Sequence, residues 1–224
     1  MSPNNLYQYS VISALMQGVA RTGPTINQVL CHGDHGLGTV DHINGEVIVV
    51  DGLGVEATDV FPFIMMTHFK PTLSKRLPSL NMSNLQDGLS PLLPSRQNCF
   101  LSVRVDGRFD RVTFRVIPAQ TQTREPLLAL AQRQQMHSVE NVRGLLFGFW
   151  SPSFTNGFSV SGFHLHFLSD DRSAGGHVTG FEAGDAKISA AVLKEYQVEL
   201  PQDEDFHEVP IRGFGTDDMH AAEG

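Results

Sequence analysis

Apolar positions along this chain change period several times, and each change marks a new element. After a polar start, Ser10 precedes a run in which Val11, Leu15 and Val19 recur at helical spacing with Ile12 and Met16 beside them, and Gly23-Pro24 ends the helix they predict. Thr25 and Gln28 then form a capping-box pattern ahead of Ile26, Val29 and Leu30, and Gly33 stops this shorter helix. From Gly38 the period drops to two. Thr39 to Ile43 and Glu46 to Val50 flank Asn44-Gly45, the strongest short-range hairpin signal. With a two-residue turn Ile43 faces Glu46 and Thr39 falls near Val50, so hairpin geometry alone does not bring Thr39 and Glu46 together.

Residues 66–97 carry Pro71, Pro78, Pro91 and Pro94 among Ser and Asn, and read as an irregular Ω-loop or lid. Cys99 to Val105 and Phe109 to Ile117 are β-rich runs around Asp106-Gly107, a second hairpin. Glu125-Pro126 opens a helix containing Leu127, Leu128, Leu130 and Ala131. Periodicity lapses at residues 137–142, the expected boundary between an N-terminal mixed-sheet domain (1–137) and a C-terminal β-rich domain (138–224). The second half reads as strands over 144–150, 158–168 and 177–181, a helix over 186–196 and a mobile polar tail from 200. The class is a two-domain α/β (α+β) fold with mixed sheets and packed helices.

The chemistry concentrates in Phe163-His164-Leu165-His166-Phe167, followed after a polar loop by Gly175-Gly176-His177. On a strand, successive side chains point to opposite faces, so His164 and His166 share one face and the three apolar residues cover the other. A His-x-His pair alone also fits a half-exposed polar face. A return strand beginning at His177 brings a third imidazole alongside, and three histidines with no fourth protein ligand suit a catalytic zinc or similar divalent ion with open positions. His32 and His35, in a His-Gly-Asp-His-Gly turn, read as loop residues. Glu46 reads equally as a solvated strand start, and Arg115 equally as an exposed strand arginine.

At 224 residues with a net charge of −8 and no dense run among its 16 Lys and Arg residues, the chain fits a small-molecule partner rather than nucleic acid. No stretch approaches the roughly 18 apolar residues of a membrane span, and no basic segment leads into an apolar one at the N-terminus, so a soluble cytoplasmic protein is expected. Cys31 and Cys99 lack CxxC spacing and read as buried free thiols, compatible with reducing conditions.

Over almost its whole length the chain resembles the α-acetolactate decarboxylase family. The pieces are Tyr9-Ser10 through Ser13-Ala14-Leu15-Met16, His32-Gly33-Asp34 with Gly36-Leu37-Gly38-Thr39, Asn44-Gly45-Glu46, Arg115 with Pro118, Gly148-Phe149-Trp150, and the three-histidine segment. Each piece is short, and their order and spacing are specific. The resemblance implies decarboxylation of 2-acetolactate to acetoin at one zinc ion per chain, within acetoin and butanediol formation, in a homodimer joined through the N-terminal sheet. It assigns His164, His166 and His177 as zinc ligands, and Glu46, Arg115 and Thr39 as further site residues. It also assigns a glutamate near the C-terminus, for which Glu223 sits at the matching distance and Glu208 is a second candidate. The chemistry agrees: acetolactate carries a ketone β to its carboxylate, so loss of carbon dioxide leaves an enediolate whose charge needs an electrophile.

Two other readings use the same histidines. The central motif is also similar to the plants-and-prokaryotes conserved domain, a regulatory or DNA-associated module whose histidines bind metal without known catalysis. That module is far shorter, and this chain has no basic arm. A cupin-type metal enzyme would place a glutamate four residues after the second histidine, where this chain has Asp170, and its third histidine would come much later.

Overall fold

The computed structural model describes residues 2–52, 59–215, 218 and 222. The chain begins with β1 (Leu6–Tyr9), then α1 (Ile12–Met16) and α2 (Ile26–Val29), where the Gln28 side chain accepts from the Thr25 backbone N–H at 2.8 Å, as the capping-box pattern predicts. Next come β2 (His35–Thr39), a 3-10 turn at Asp41–Ile43, β3 (Glu46–Val49) and β4 (Phe63–Thr67). A nine-residue β5 (Leu73–Asn81) and α3 (Leu85–Gly88) lead into β6 (Phe100–Val116). The remainder is α4 (Leu127–Ala131), β7 (Gln135–Ser151), β8 (Gly162–Ser169), β9 (Gly175–Leu193), β10 (Tyr196–Glu199) and α5 (Glu204–His207).

These strands form two five-stranded sheets. The first has the order β10-β1-β4-β2-β3 and is mixed, because β10 runs parallel to β1 while the other pairs are antiparallel. The second, β5-β9-β6-β7-β8, is antiparallel and curls until β8 also pairs with the start of β9. Three register shifts along the β6–β9 pair supply the bend such curling requires. One apolar cluster, with Phe63, Met65, Phe147 and Phe149, joins the two sheets under α1 and α4; another, around Phe109, Leu146 and Phe167, fills the curl of the second sheet. Each fully buried Phe among them contributes roughly 1.5–3 kcal/mol.

Several expected elements are different in the fold. The Asn44-Gly45 hairpin exists, but its 3-10 turn lengthens the loop and shifts the register, so Thr39 and Glu46 are direct cross-strand partners. Asp106-Gly107 is not a turn: β6 runs straight through it, Gly107 pairs with Gly144, and the register on the β9 side slips there, so the pair marks a bulge. The segment 66–97 is not one irregular loop, since it contains β5 and α3; Pro78 is tolerated because β5 is the outer strand and pairs only with β9. Residues 186–196 are not helical. Ala186, Ile188 and Ala190 are buried between β5 and β6, which pair with this stretch on both sides and override its helical propensity.

The expected division at 137/138 falls inside β7, and β10 returns to the first sheet. The tail is tied down at several described points: Asp203 accepts from the Thr22 hydroxyl at 2.6 Å, Asp205 and Glu208 pair with Arg124, the Asn156 amide donates to the Phe214 carbonyl, and Ala222 is buried in the cluster between the sheets. Cys31 and Cys99 are free thiols, but Cys31 is exposed rather than buried.

Candidate active site

His164 and His166 project from β8 on one face, while Leu165 and Phe167 enter the core on the other, as the period of two requires. His177, at the start of β9, is the cross-strand partner of His166 and, on its other side, of Arg115 on β6. Two glycines permit this closeness. A Cβ on Gly148 would lie 1.9 Å from the His164 carbonyl oxygen, and one on Gly176 2.6 Å from that of Arg115.

The three imidazoles are buried, with ring centroids 5.0–5.4 Å apart and one nitrogen from each within 4.8 Å of the others. Tetrahedral zinc with nitrogen ligands at its usual bond length needs those nitrogens about 3.4 Å apart, so side-chain adjustments suffice. The His166 Nδ1 lies 2.7 Å from the Val47 carbonyl oxygen. A carbonyl only accepts, so Nδ1 carries the proton and Nε2 presents a lone pair. Among the described residues, this buried Nε2 makes no hydrogen bond, and the Glu46 Oε2 is 3.5 Å away. Burial pushes His164 well below the usual histidine range, with the charges of His166 and Arg115 adding to it. Burial likewise holds His166 down at about 4, against the Val47 hydrogen bond and helped by Arg115. His164 and His166 are therefore neutral near pH 7, and the His166 lone pair facing the Glu46 carboxyl is an arrangement that a cation between them satisfies. The donor set fits a divalent metal.

The first sheet supplies the rest. Cross-strand pairing places Glu46 beside Thr39, whose hydroxyl donates to the Gly45 carbonyl at 2.8 Å. Arg115 is buried, not an exposed strand arginine, and its Nη1 donates to Gln134 Oε1 at 3.2 Å. Glu46 is largely buried rather than solvated. A cavity joins Thr39, Glu46 and His164 to the apolar side chains of Ile12, Ile117 and Leu127.

Other sequence candidates lie elsewhere. Glu208 is exposed and pairs with Arg124 at 3.1 Å, and Glu223 lies outside the described residues. His32 stacks on Tyr7 at 3.7 Å. His35 is not a loop residue but the first residue of β2, wedged between Phe69 and Phe147, with Nδ1 2.7 Å from Asp34 and Nε2 2.8 Å from Arg104. Sequence reasoning did not point to Gln134 or the Val47 carbonyl. Nothing in a pattern marks Gln134, whereas Val47 follows Glu46 and was findable as the next backbone group on the same strand.

A family profile described as Alpha-acetolactate decarboxylase matches residues 6–213. The alpha-acetolactate decarboxylase of Brevibacillus brevis is 32% identical over 236 aligned residues, covering 98% of this chain and 81% of that protein. That of Methanosarcina mazei is 34% identical, covering 97% and 80% respectively. The crystal structure of acetolactate decarboxylase from Bacillus subtilis subspecies spizizenii superposes with a TM-score of 0.92 at 28% identity, covering 98% of this chain and all of that one.

Proposed function

The chain belongs to the alpha-acetolactate decarboxylase family, and from that premise we propose that it converts 2-acetolactate to acetoin and carbon dioxide with a zinc ion held by His164, His166 and His177. The observation that carries this reading is the buried cluster of three imidazoles beside the Glu46 carboxyl, in a chain whose family match spans both sheets. The shorter metal-binding module loses its ground, because that match includes the strands bearing Thr39, Glu46 and Arg115.

Held by His164, His166 and His177, a divalent metal would supply Lewis acidity to the substrate's oxygens. Arg115 binds the carboxylate through its planar fork and, held by Gln134, orients the breaking bond. Burial of Arg115 keeps water from it and strengthens that charge pair. Glu46, carrying a proton taken up from solvent before substrate closes the site, then delivers it to the carbon that has lost its carboxylate, from one face only, which yields a single acetoin enantiomer. Glu223 is the second carboxyl that this reading assigns to proton transfer. Thr39, bonded to the Gly45 carbonyl just before Glu46, holds the turn from which Glu46 projects. The Val47 carbonyl fixes the His166 tautomer and ties the ligand strand to the first sheet.

The reading takes the working unit as a cytoplasmic homodimer; among the described residues β10 is an outer strand of the first sheet, and such an edge suits pairing with a second copy. No helix among the described residues is long and apolar enough to cross a membrane.

Elemental analysis of the purified protein, paired with an acetoin assay on racemic 2-acetolactate before and after chelator, tests the function. Zinc near one per chain with chelator-sensitive acetoin formation is expected. Metal without acetoin would overturn the reading.

A further inference from the structure

The cavity that touches Thr39, Glu46 and His164 has a second, apolar half. Ile12 and Leu15 reach it from α1, Ile43 from the 3-10 turn, Phe63 from β4, Ile117 from beyond β6, and Leu127 from α4. All six are buried, none more than 5% exposed. Polar and apolar walls thus meet in one space, with the polar wall on the strands and much of the apolar wall on two short helices.

The space is small. It offers about 20 Å³ to the centres of water-sized groups, against the roughly 10–15 Å³ that one water requires. The substrate's hydroxyl, ketone and carboxylate oxygens all have polar partners in the reading above, which leaves its two methyl groups without a place on the polar wall. We propose that one of these methyl groups occupies the apolar half of the cavity, and that Leu127 is the specificity-determining residue that disfavours any alkyl group there longer than methyl. This rests on the decarboxylase reading. Leu127 suits the role because it belongs to α4, outside both sheets, so shortening it enlarges the cavity without moving the strands that carry the polar residues.

The test compares kcat/KM for 2-acetolactate with that for its two one-carbon homologues, 2-ethyl-2-hydroxy-3-oxobutanoate and 2-hydroxy-2-methyl-3-oxopentanoate, in the wild type, Leu127→Ala and Leu127→Val. One methylene in a hydrophobic pocket is worth roughly 10–200-fold in discrimination. For one homologue, Leu127→Ala should raise its kcat/KM relative to acetolactate by roughly tenfold or more, and Leu127→Val should raise it less in the same direction. Calorimetric affinities for the inert acids 2-hydroxy-2-methylpropanoate and 2-hydroxy-2-methylbutanoate should shift alike, without any turnover. If Leu127→Ala does not fold, Leu127→Val decides. Ratios unchanged within twofold for both homologues, in a variant that still decarboxylates acetolactate, would overturn the proposal and leave the decarboxylase reading standing. A wild type that turns over none of the three substrates would overturn both.

Discussion

Gly148→Ala is the sharpest test of how the site is built. An added Cβ would sit 1.9 Å from the His164 carbonyl oxygen and 2.9 Å from both the His164 carbonyl carbon and the Leu165 Cα, where real Cβ atoms essentially never come within 3.0 Å. Strands β7 and β8 must therefore separate by about 1 Å where Gly148 pairs with Leu165, next to His164. Overpacking of this kind costs about 1–3 kcal/mol, and weakening one or two adjacent ladder bonds adds about 0.5–1.5 kcal/mol each. The sum, about 1.5–6 kcal/mol, lowers Tm by roughly 3–24 °C in a chain of this size. Because His164 moves with its carbonyl, metal affinity should also fall about 10–100-fold, the usual effect of disturbing a ligand's support. Thermal unfolding of metal-free protein measures the first effect and competition with a chromophoric chelator the second. Gly180→Ala is the control, since nothing lies within 4 Å of its Cβ position, and it should leave both unchanged. A Gly148→Ala protein with wild-type Tm and metal affinity would refute the packing argument.

Four other outcomes follow from the same geometry. His166→Ala should lose bound metal and acetoin formation together; a metal-replete, fully active variant would refute the ligand assignment. Arg115→Ala should keep its metal by elemental analysis but lose at least about 10²-fold in kcat/KM, as expected for removal of a charge-paired anchor from a buried site. Gln134→Leu, which removes one partner of the Arg115 guanidinium, should cost roughly tenfold in kcat/KM with metal content unchanged. Asp34 gives a pH signature: burial raises its pKa, but hydrogen bonds from His35 and the Phe69 N–H outweigh that and leave it below the usual carboxylate range. A depressed folded pKa gives stability that is present above the unfolded value and lost as pH falls through the folded one. The Tm difference between wild type and Asp34→Asn should therefore shrink as pH drops from 5 to below 3.8.

The sequence by itself determined that two histidines share a face and that the second helix is capped, because each rests on short-range geometry, and the order of its motifs determined the family. His164 and His166 share a face through the fixed period of a strand, and Thr25 meets Gln28 within one helical turn. Tertiary structure decided everything that depends on which strand lies beside which. Ala186 to Leu193 became strand because β5 and β6 pair with it, a non-local gain that outweighs local helical preference. Asp106-Gly107 became a bulge because β6 has partners on both sides across it, so the chain need not reverse. Thr39 met Glu46 only through a loop longer than the Asn-Gly signal implies, and Arg115 met His177 only through the β6–β9 ladder. Local periodicity fixes which way a side chain points; what it points at is set by register between distant strands, which burial of the shared core selects.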